Sequence, residues 1–334
     1  METGRENSLN IRRRSISALI PHLFALGILP LLLSLAGGCA KDSDGKKWVI
    51  GFSQVTVKEP WRVVFNEKLR QKAQEYGDRV ELIMLDADDK TENQVEHIKV
   101  FISKRVDAII ISPKEASGCS KAIQEATEAD IPVIVLDRDT TYKGYAAFIG
   151  ASNLMIGRAA GEYAIRLLGG PGIAKGKIYE VCGSLASTPA QERRDGFHEM
   201  VEQEEGIQIL GGLDGDWKLD KAKAIAQDAL QIHRDIDIIY AHNDPMAYGT
   251  YQAARELGLE DRIRFMGIDG LPNEGCVWVR SGILAATFLY PTPGEAGLEI
   301  ALDILEGSRE ITPGERITLP TATITIENVE EFLR

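Results

Sequence analysis

The sequence has few residues of the kinds that build metal, redox and disulfide sites. Its 334 residues include four cysteines and five histidines, and no nucleotide-binding glycine fingerprint, G-x-S-x-G elbow or H-E-x-x-H motif. After residue 39 the cysteines are Cys119, Cys182 and Cys276, which are too far apart for a CxxC metal site. We therefore expect no cofactor and no metal. The three thiols should pack as small buried groups, although in an exported chain one pair could oxidise.

Positive charge is also scarce. The formal net charge is −12, and residues 1–38 carry four Arg against two Glu, so the remainder carries −14. Nucleic acids and anionic membranes are bound by clustered Lys and Arg, and no such cluster follows residue 38, so we expect neither partner. The acidic runs 86–89 and 214–220 lack the central Gly and final Glu of a calcium loop.

The first 38 residues have the pattern of an export signal. Arg12-Arg13-Arg14 precede a 24-residue stretch, 15–38, that has no charged residue and is rich in Leu, Ile and Ala. It ends in Leu35-Ala36-Gly37-Gly38-Cys39, which resembles a lipoprotein signal. We expect lipidation of Cys39, with residues 39–46 as a tether, in the periplasm or on the outer face of the cell membrane. An uncleaved membrane anchor is the alternative, because 24 residues can span a bilayer.

Beyond residue 46, short apolar runs alternate with longer segments of helical spacing such as 61–76, 93–104, 153–168 and 245–257. Runs that are apolar throughout, alternating with helices, indicate parallel sheets covered on both faces. About five such units precede Ser152 and about five follow it. We therefore predict an α/β protein with two doubly wound parallel-sheet lobes. The predicted strands are 48–53, 80–85, 106–112, 131–136, 146–150, 177–181, 207–210, 236–241, 263–268 and 284–289.

Polar and aromatic residues follow many of these strands, at the sheet edge where ligands of such folds bind. A buried sugar needs carboxylate acceptors and Arg or Asn donors for its hydroxyls. Its C–H faces pack against aromatic rings, and Trp61 and Trp217, one from each half, could sandwich it. The residues at or just beyond these strand ends include Glu59, Trp61, Arg62, Ser112, Asp137, Arg138, Trp217, Asn243 and Asp269, and Arg193 closes the loop 183–193.

Six short stretches occur in a fixed order between residues 48 and 333. They are Ile50-Gly51-Phe52-Ser53-Gln54 with Trp61-Arg62, Val106-Asp107-Ala108-Ile109-Ile110-Ile111-Ser112-Pro113, Ile131-Pro132-Val133-Ile134-Val135-Leu136-Asp137-Arg138, Gln191-Glu192-Arg193 before Gly196-Phe197, Ala241-His242-Asn243-Asp244, and Gly267-Ile268-Asp269-Gly270. Together they resemble the type I periplasmic sugar-binding proteins of ABC importers, especially the ribose- and galactofuranose-binding members.

The resemblance implies two lobes joined by a three-segment hinge, with the ligand between them. It also implies that the ten residues named above are the ligand-binding residues, and Arg193 is chosen on the resemblance alone. The lobes would be residues 47–152 plus 290–318, and 153–289 plus 319–334. Trp61-Arg62 replaces the paired aromatics of ribose binders and looks like the galactofuranose-type arrangement. Where many relatives have Gln or Glu near the last crossing, this chain has Phe288-Leu289-Tyr290-Pro291, which leaves the contact there open.

Several of these residues also have a purely structural interpretation. Asp137-Arg138 could be a surface ion pair, and Arg193 lies in a charged stretch that could face solvent. Trp61 could be core, and Trp217 could cover a sheet edge. Asn243 could cap the following helix as well as bind a ligand, although Asp244 is the better candidate for a cap alone.

Three functions remain to be compared. The first is a monomeric binding protein that delivers a monosaccharide to an ABC importer. The second is a receptor of the same fold that signals to a sensor kinase or chemoreceptor. The third, an enzyme, has little support, because cleft carboxylates paired with Arg should have lowered pKa values and leave no general acid. A repressor is excluded, because the export signal stands where a DNA-binding segment would lie.

Overall fold

The computed structural model describes residues 46–333. The predicted signal, the lipidation site Cys39 and nearly all of the tether therefore lie outside the described residues. Between residues 46 and 333, no helix combines the length and the apolar character needed to cross a membrane.

Strands and helices alternate along the described chain, as the sequence predicts. The strands are β1 (Trp48–Gln54), β2 (Val80–Asp86), β3 (Ala108–Ile111), β4 (Val133–Leu136), β5 (Ala147–Ala151), β6 (Gly176–Cys182), β7 (Ile207–Asp214), β8 (Ile238–Ala241), β9 (Arg264–Met266), β10 (Thr287–Phe288), β11 (Glu315–Leu319) and β12 (Thr323–Ile324). The helices are α1 (Pro60–Glu75), α2 (Thr91–Lys104), α3 (Ser120–Glu128), α4 (Asn153–Leu167), α5 (Thr188–Val201), α6 (Leu219–Ile232), α7 (Asp244–Glu256), α8 (Gly275–Arg280) and α9 (Gly294–Leu305), with 3₁₀ turns at Gly77–Arg79 and Val329–Glu331.

Two parallel sheets organise these elements. The first has the order β11-β5-β4-β3-β1-β2 and the second β7-β6-β8-β9, and all pairings within both sheets are parallel. The chain passes between the sheets after β5, after β10 and again after β11. The predicted fold class, two parallel-sheet lobes with a three-segment hinge, is confirmed.

Both faces of each sheet are covered, which explains why its strands are apolar throughout. On β3, Ile110 packs with α1 and α9, whereas Ile109 and Ile111 pack with α2 and α3. On β8, Tyr240 packs with α4 and α5, and Ile239 with α6 and α7. Alternate side chains point to opposite faces of a strand, so burial on both faces requires a continuous apolar run.

The tenth predicted strand differs from the expectation. The run 284–289 lies beside β9 through the bridges Met266–Ala286 and Asp269–Leu289, and its regular part, β10, pairs antiparallel with β12. The run thus belongs to the hinge as much as to the second sheet. This position matters for the site, because the segment that follows it lines the cavity described next.

Candidate functional site

A cavity lies between the carboxyl edges of the two sheets, with about 450 Å³ of space between protein atoms, part of which is open to solvent. Nine of the ten predicted ligand-binding residues line it, the exception being Ser112. Tyr290 and three prolines, which the sequence did not assign to a site, complete the wall. The lining residues are Glu59, Pro60, Trp61, Arg62, Asp137, Arg138, Pro189, Arg193, Trp217, Asn243, Pro245, Asp269 and Tyr290.

Arg62 organises the first-lobe wall. Its Nη1 donates to Gln54 Oε1 (2.7 Å) and to Ser112 Oγ (3.2 Å), and its Nη2 donates to Asp137 Oδ2 (3.0 Å). Glu59 Oε2 lies 3.7 Å from Arg62 Nε, is buried, and accepts no hydrogen bond from the described residues. The ends of three strands, β1, β3 and β4, therefore meet at one guanidinium group.

Ser112 lies behind this wall rather than on it. Its Oγ donates to Asp137 Oδ2 (2.9 Å) and accepts from Arg62. Ser112 was predicted as a ligand contact because it follows β3. Its side chain is short, however, and its hydroxyl is hydrogen bonded to the charged groups of Arg62 and Asp137. In this arrangement Ser112 orients the residues that face the cavity.

Asp137 and Arg138 are buried rather than exposed as a surface pair. Burial alone would raise the pKa of Asp137, but the guanidinium groups of Arg62 and Arg138 and the hydrogen bonds from Tyr290 and Ser112 hold it below its ordinary value. Burial, and next the nearby Arg62, lower the pKa of Arg138 to about 10, so it remains charged at neutral pH. Arg138 Nη1 donates to the Lys114 carbonyl at 3.1 Å.

Arg193 reaches the cavity from α5. Its Nε donates to Asn153 Oδ1 (2.9 Å) and its Nη1 donates to the His242 carbonyl, while the side chain is almost fully buried. The solvent-facing alternative is therefore wrong. Among residues 46–333 no carboxylate forms a salt bridge with this guanidinium, so a buried positive charge faces the cavity.

Trp217 and Asn243 form a second part of this wall. Trp217 has a φ of 63°, and its ring lies so close to Gly183 that a Cβ there would be 2.2 Å from it. The ring centroid is 5.4 Å from the guanidinium carbons of both Arg138 and Arg193. Asn243 Nδ2 donates to the Trp217 carbonyl at 3.1 Å.

Asn243, not Asp244, caps α7. Asn243 Oδ1 accepts from the Met246 amide at 2.9 Å, as an N-cap side chain does. Asp244 instead accepts from Thr287 Oγ1 (2.7 Å) and from the Gly270 amide (2.8 Å), inside the lobe. The preference for Asp244 as the cap is therefore wrong.

Asp269 follows β9 and lies next to this buried carboxylate. Burial, and next the proximity of Asp244, raise the pKa of Asp269 well above its ordinary value. The expectation that pairing with Arg lowers the pKa of every cleft carboxylate is therefore wrong at this position. No donor among residues 46–333 hydrogen bonds to the Asp269 side chain, so both of its oxygens remain available to a ligand.

Direct contacts join the lobes at the rim of the cavity. The Ala116 amide donates to the Ala186 carbonyl (3.2 Å), and the Asp139 amide donates to Thr188 Oγ1 (2.9 Å). These bonds link the ends of first-lobe strands to the loop and first turn of α5. The two lobes are therefore in direct contact beside the cavity, and both contribute to its wall.

Three helices begin at the cavity with proline in the first turn. These are Pro60 of α1, Pro189 of α5 and Pro245 of α7. Proline suits that position because the first-turn amides have no partner within the helix. Its ring adds apolar surface between the charged groups, which suits the C–H faces of a sugar.

Glu180, Cys182 and His242 are the described residues that could hold a metal ion, with candidate ligand atoms within 4.8 Å of one another. Both carboxylate oxygens of Glu180 are already engaged by histidines, whereas His242 Nδ1 is buried without a hydrogen-bond partner among residues 46–333. His242 Nε2 lies 3.0 Å from Glu180 Oε1, and His198 Nε2 lies 2.9 Å from Glu180 Oε2. Burial raises the pKa of Cys182, which opposes the thiolate form that a metal needs. We interpret the group as a hydrogen-bonded support beneath Arg193.

A family model of the periplasmic binding protein domain matches residues 50–309. The chain belongs to this family. The resemblance to type I periplasmic sugar-binding proteins of ABC importers, drawn above from six short stretches, is confirmed.

The relatives share the architecture along nearly the whole described chain. The galactofuranose-binding protein of Escherichia coli (strain K12) is 30% identical over 284 residues, covering 82% of this chain and 86% of its own. The ribose import binding protein of Bacillus subtilis (strain 168) is 28% identical, covering 84% and 93%. Among solved structures, the fructose-binding periplasmic domain of a hybrid two-component system is 35% identical with a TM-score of 0.80, covering 86% and 93%.

Proposed function

We propose that this protein is an extracytoplasmic solute-binding lipoprotein that captures a monosaccharide between its lobes and delivers it to an ABC importer. The ligand would be a pentose, a hexose or a furanose form of either. The lobes, residues 47–152 plus 290–318 and 153–289 plus 319–334, would open to admit it and close around it.

The observation that carries this proposal is the composition of the cavity wall. Arg193 and Asp269 offer a buried cation and a buried carboxylate, each with hydrogen-bonding capacity that no described residue uses. A sugar hydroxyl donates one hydrogen bond and accepts others, so it satisfies both groups. Trp61 and Trp217 supply apolar ring surface in the same cavity.

The relatives support a sugar as the ligand. Those described above are named for binding galactofuranose, ribose and fructose. These sugars all adopt furanose rings, but they differ in chain length and in hydroxyl stereochemistry. We therefore propose the ligand class and leave the choice within it to direct measurement.

A thermal-shift panel tests this function. The ligand-free protein is mixed separately with D-ribose, L-arabinose, D-galactose, D-fructose, D-allose and myo-inositol. A sugar at 100 times its dissociation constant should stabilise the fold by about 2.7 kcal/mol. We expect at least one sugar to raise the melting temperature and none to do so in an Arg193→Ala variant. No shift with any of these compounds in the parent protein would contradict the proposal.

A binding role fits the carboxylates better than catalysis does. Asp269 has the raised pKa of a potential general acid, but Asp137 is held by Arg62, Ser112 and Tyr290 and is not free to act as a base or nucleophile. The relatives are solute-binding proteins. We propose that the protein has no enzymatic activity and acts as a monomer.

A receptor role is the second candidate, favoured by one observation. The fructose-binding domain that is 35% identical to this chain belongs to a hybrid two-component system. Deleting the gene distinguishes the two roles. Loss of labelled-sugar uptake would support the importer role, whereas loss of sugar-induced transcription with intact uptake would support the receptor.

A further inference from the structure

Tyr290 is a lining residue that strand-end position did not predict. It lies in the hinge segment between β10 and α9, in the stretch where the sequence left the ligand contact open. Its side chain is buried, and it contacts functional residues of both lobes. The inference below rests on the proposed function, because it concerns the same cavity.

On the first-lobe side, Tyr290 holds Trp61 and Asp137. Trp61 Nε1 donates to the Tyr290 carbonyl at 2.7 Å, and the two rings stack with centroids 5.1 Å apart at 30°. The Tyr290 hydroxyl donates to Asp137 Oδ1 at 2.8 Å. One residue thus fixes both the ring plane of Trp61 and the orientation of the Asp137 carboxylate.

On the second-lobe side, Tyr290 contacts Asp269, Asn153 and Arg193. Its amide donates to the Asp269 carbonyl (3.0 Å), and its hydroxyl accepts from Asn153 Nδ2 (3.4 Å). The guanidinium carbon of Arg193 lies 4.6 Å from its ring centroid. The Asn153 side chain in turn accepts a hydrogen bond from Arg193. Tyr290 therefore contacts this arginine both directly and through the side-chain amide of Asn153.

The hydroxyl of Tyr290 is therefore engaged by protein groups rather than left for a ligand. Asp137 is similarly occupied, because Oδ2 accepts from Arg62 and Ser112 and Oδ1 accepts from Tyr290. A carboxylate has about four acceptor positions, so three hydrogen bonds leave it little freedom to turn. Its orientation is set by the hinge residue.

We propose that Tyr290 is a positioning residue that couples the hinge to ligand recognition. Through its hydroxyl and ring it sets Trp61, Asp137 and Arg193 in one arrangement when the lobes close. It acts on the ligand through these neighbours, and its own hydroxyl does not recognise the sugar. Removing that hydroxyl should loosen the wall in both lobes while leaving the aromatic surface in place.

The test compares Tyr290→Phe with Tyr248→Phe. Tyr248 is a matched control, because its ring stacks on Trp278 in the second lobe, away from the cavity. In ligand-free protein, amide hydrogen exchange across residues 136–140 should be several times faster in Tyr290→Phe than in the parent. It should be unchanged in Tyr248→Phe. Equal exchange in all three proteins would overturn the proposal, whether or not a sugar is known.

Calorimetry supplies the second readout, with the sugar from the six-compound panel that stabilises the parent most. Tyr290→Phe should weaken binding about tenfold or more, as expected when a hydrogen bond to a charged group is lost. If Tyr290 acts through Asp137, the same substitution in an Asp137→Asn background should weaken sugar binding less than threefold. An equal loss of affinity in both backgrounds would overturn the claim that Tyr290 acts through Asp137. A parent that binds no sugar, with faster exchange in Tyr290→Phe, would contradict the proposed function and leave the positioning role supported.

Discussion

Arg62 Nη2 lies 3.0 Å from Asp137 Oδ2, and the two side chains are 5% and 4% exposed. This ion pair joins the first turn of α1 to the end of β4. Neither charge has ready access to water, so each depends on the other for compensation. The first lobe therefore carries a charged pair whose loss has consequences for stability as well as for binding.

Replacing Arg62 with Met should destabilise the ligand-free protein by roughly 3 kcal/mol, because one buried charge is left without its main partner. Adding Asp137→Asn should recover part of this loss, since the stranded carboxylate is then neutral. Urea denaturation at pH 7 measures both variants. If the double variant is as unstable as Arg62→Met, the ion pair is not the cause of the loss.

Sugar affinity should depend on pH through Asp269. Burial, and next the neighbouring Asp244, raise its pKa well above the ordinary value of 3.8. The ionised carboxylate accepts stronger hydrogen bonds from hydroxyls, so binding favours the ionised form. Affinity should therefore increase with pH from 4.5 to 8 in the parent and be flat in Asp269→Asn. Calorimetric titrations at several pH values across this range measure the affinity. If the affinity of the parent protein does not change with pH, ionisation of Asp269 does not control binding.

Acid stability should depend on Glu180. Burial would raise its pKa, but hydrogen bonds from His198 and His242 lower it to about 2, below the ordinary 4.5. The contribution of this group to stability is thus complete above about pH 4.5 and is lost as the pH falls toward 2. Its size is roughly 3 kcal/mol. Glu180→Gln should be less stable at pH 7 and show a shallower loss between pH 4.5 and 2. Parallel curves for the two proteins would contradict this assignment.

Lipidation of Cys39 can be tested independently of the fold. Mass spectrometry of protein extracted from membranes should show a mature chain that begins at a diacylglycerol-modified Cys39. A Cys39→Ser variant should be recovered without the lipid mass. Detection of an intact Met1 peptide in the parent would favour the uncleaved anchor.

The alternation of apolar runs predicted the fold well, because strands buried on both faces have an unmistakable pattern. All ten predicted runs lie beside a parallel neighbour. The strand β11, Glu315–Leu319, was not predicted from its pattern. It lies at the sheet edge, where the charged residues Glu315 and Arg316 and the polar Thr318 leave no continuous apolar run.

Most residues of the cavity wall were predicted from their position at strand ends. This rule explains which predicted residues line the cavity and which lining residues were missed. Asp137, Asn243 and Asp269 follow strands that end at the cleft, so position alone located them. Ser112 satisfies the same rule but lies behind Arg62, because side-chain reach is not visible in the sequence. Tyr290 comes from a hinge crossing, where its role depends on how two lobes meet.

The most direct test of a sugar site between the lobes is a calorimetric titration that compares Arg193→Ala with Arg194→Ala. Both arginines lie on α5, but Arg193 lines the cavity and Arg194 does not. The account predicts one sugar bound per parent chain, near-parent affinity in Arg194→Ala, and at least a tenfold loss in Arg193→Ala. Binding within threefold of the parent in Arg193→Ala would contradict it.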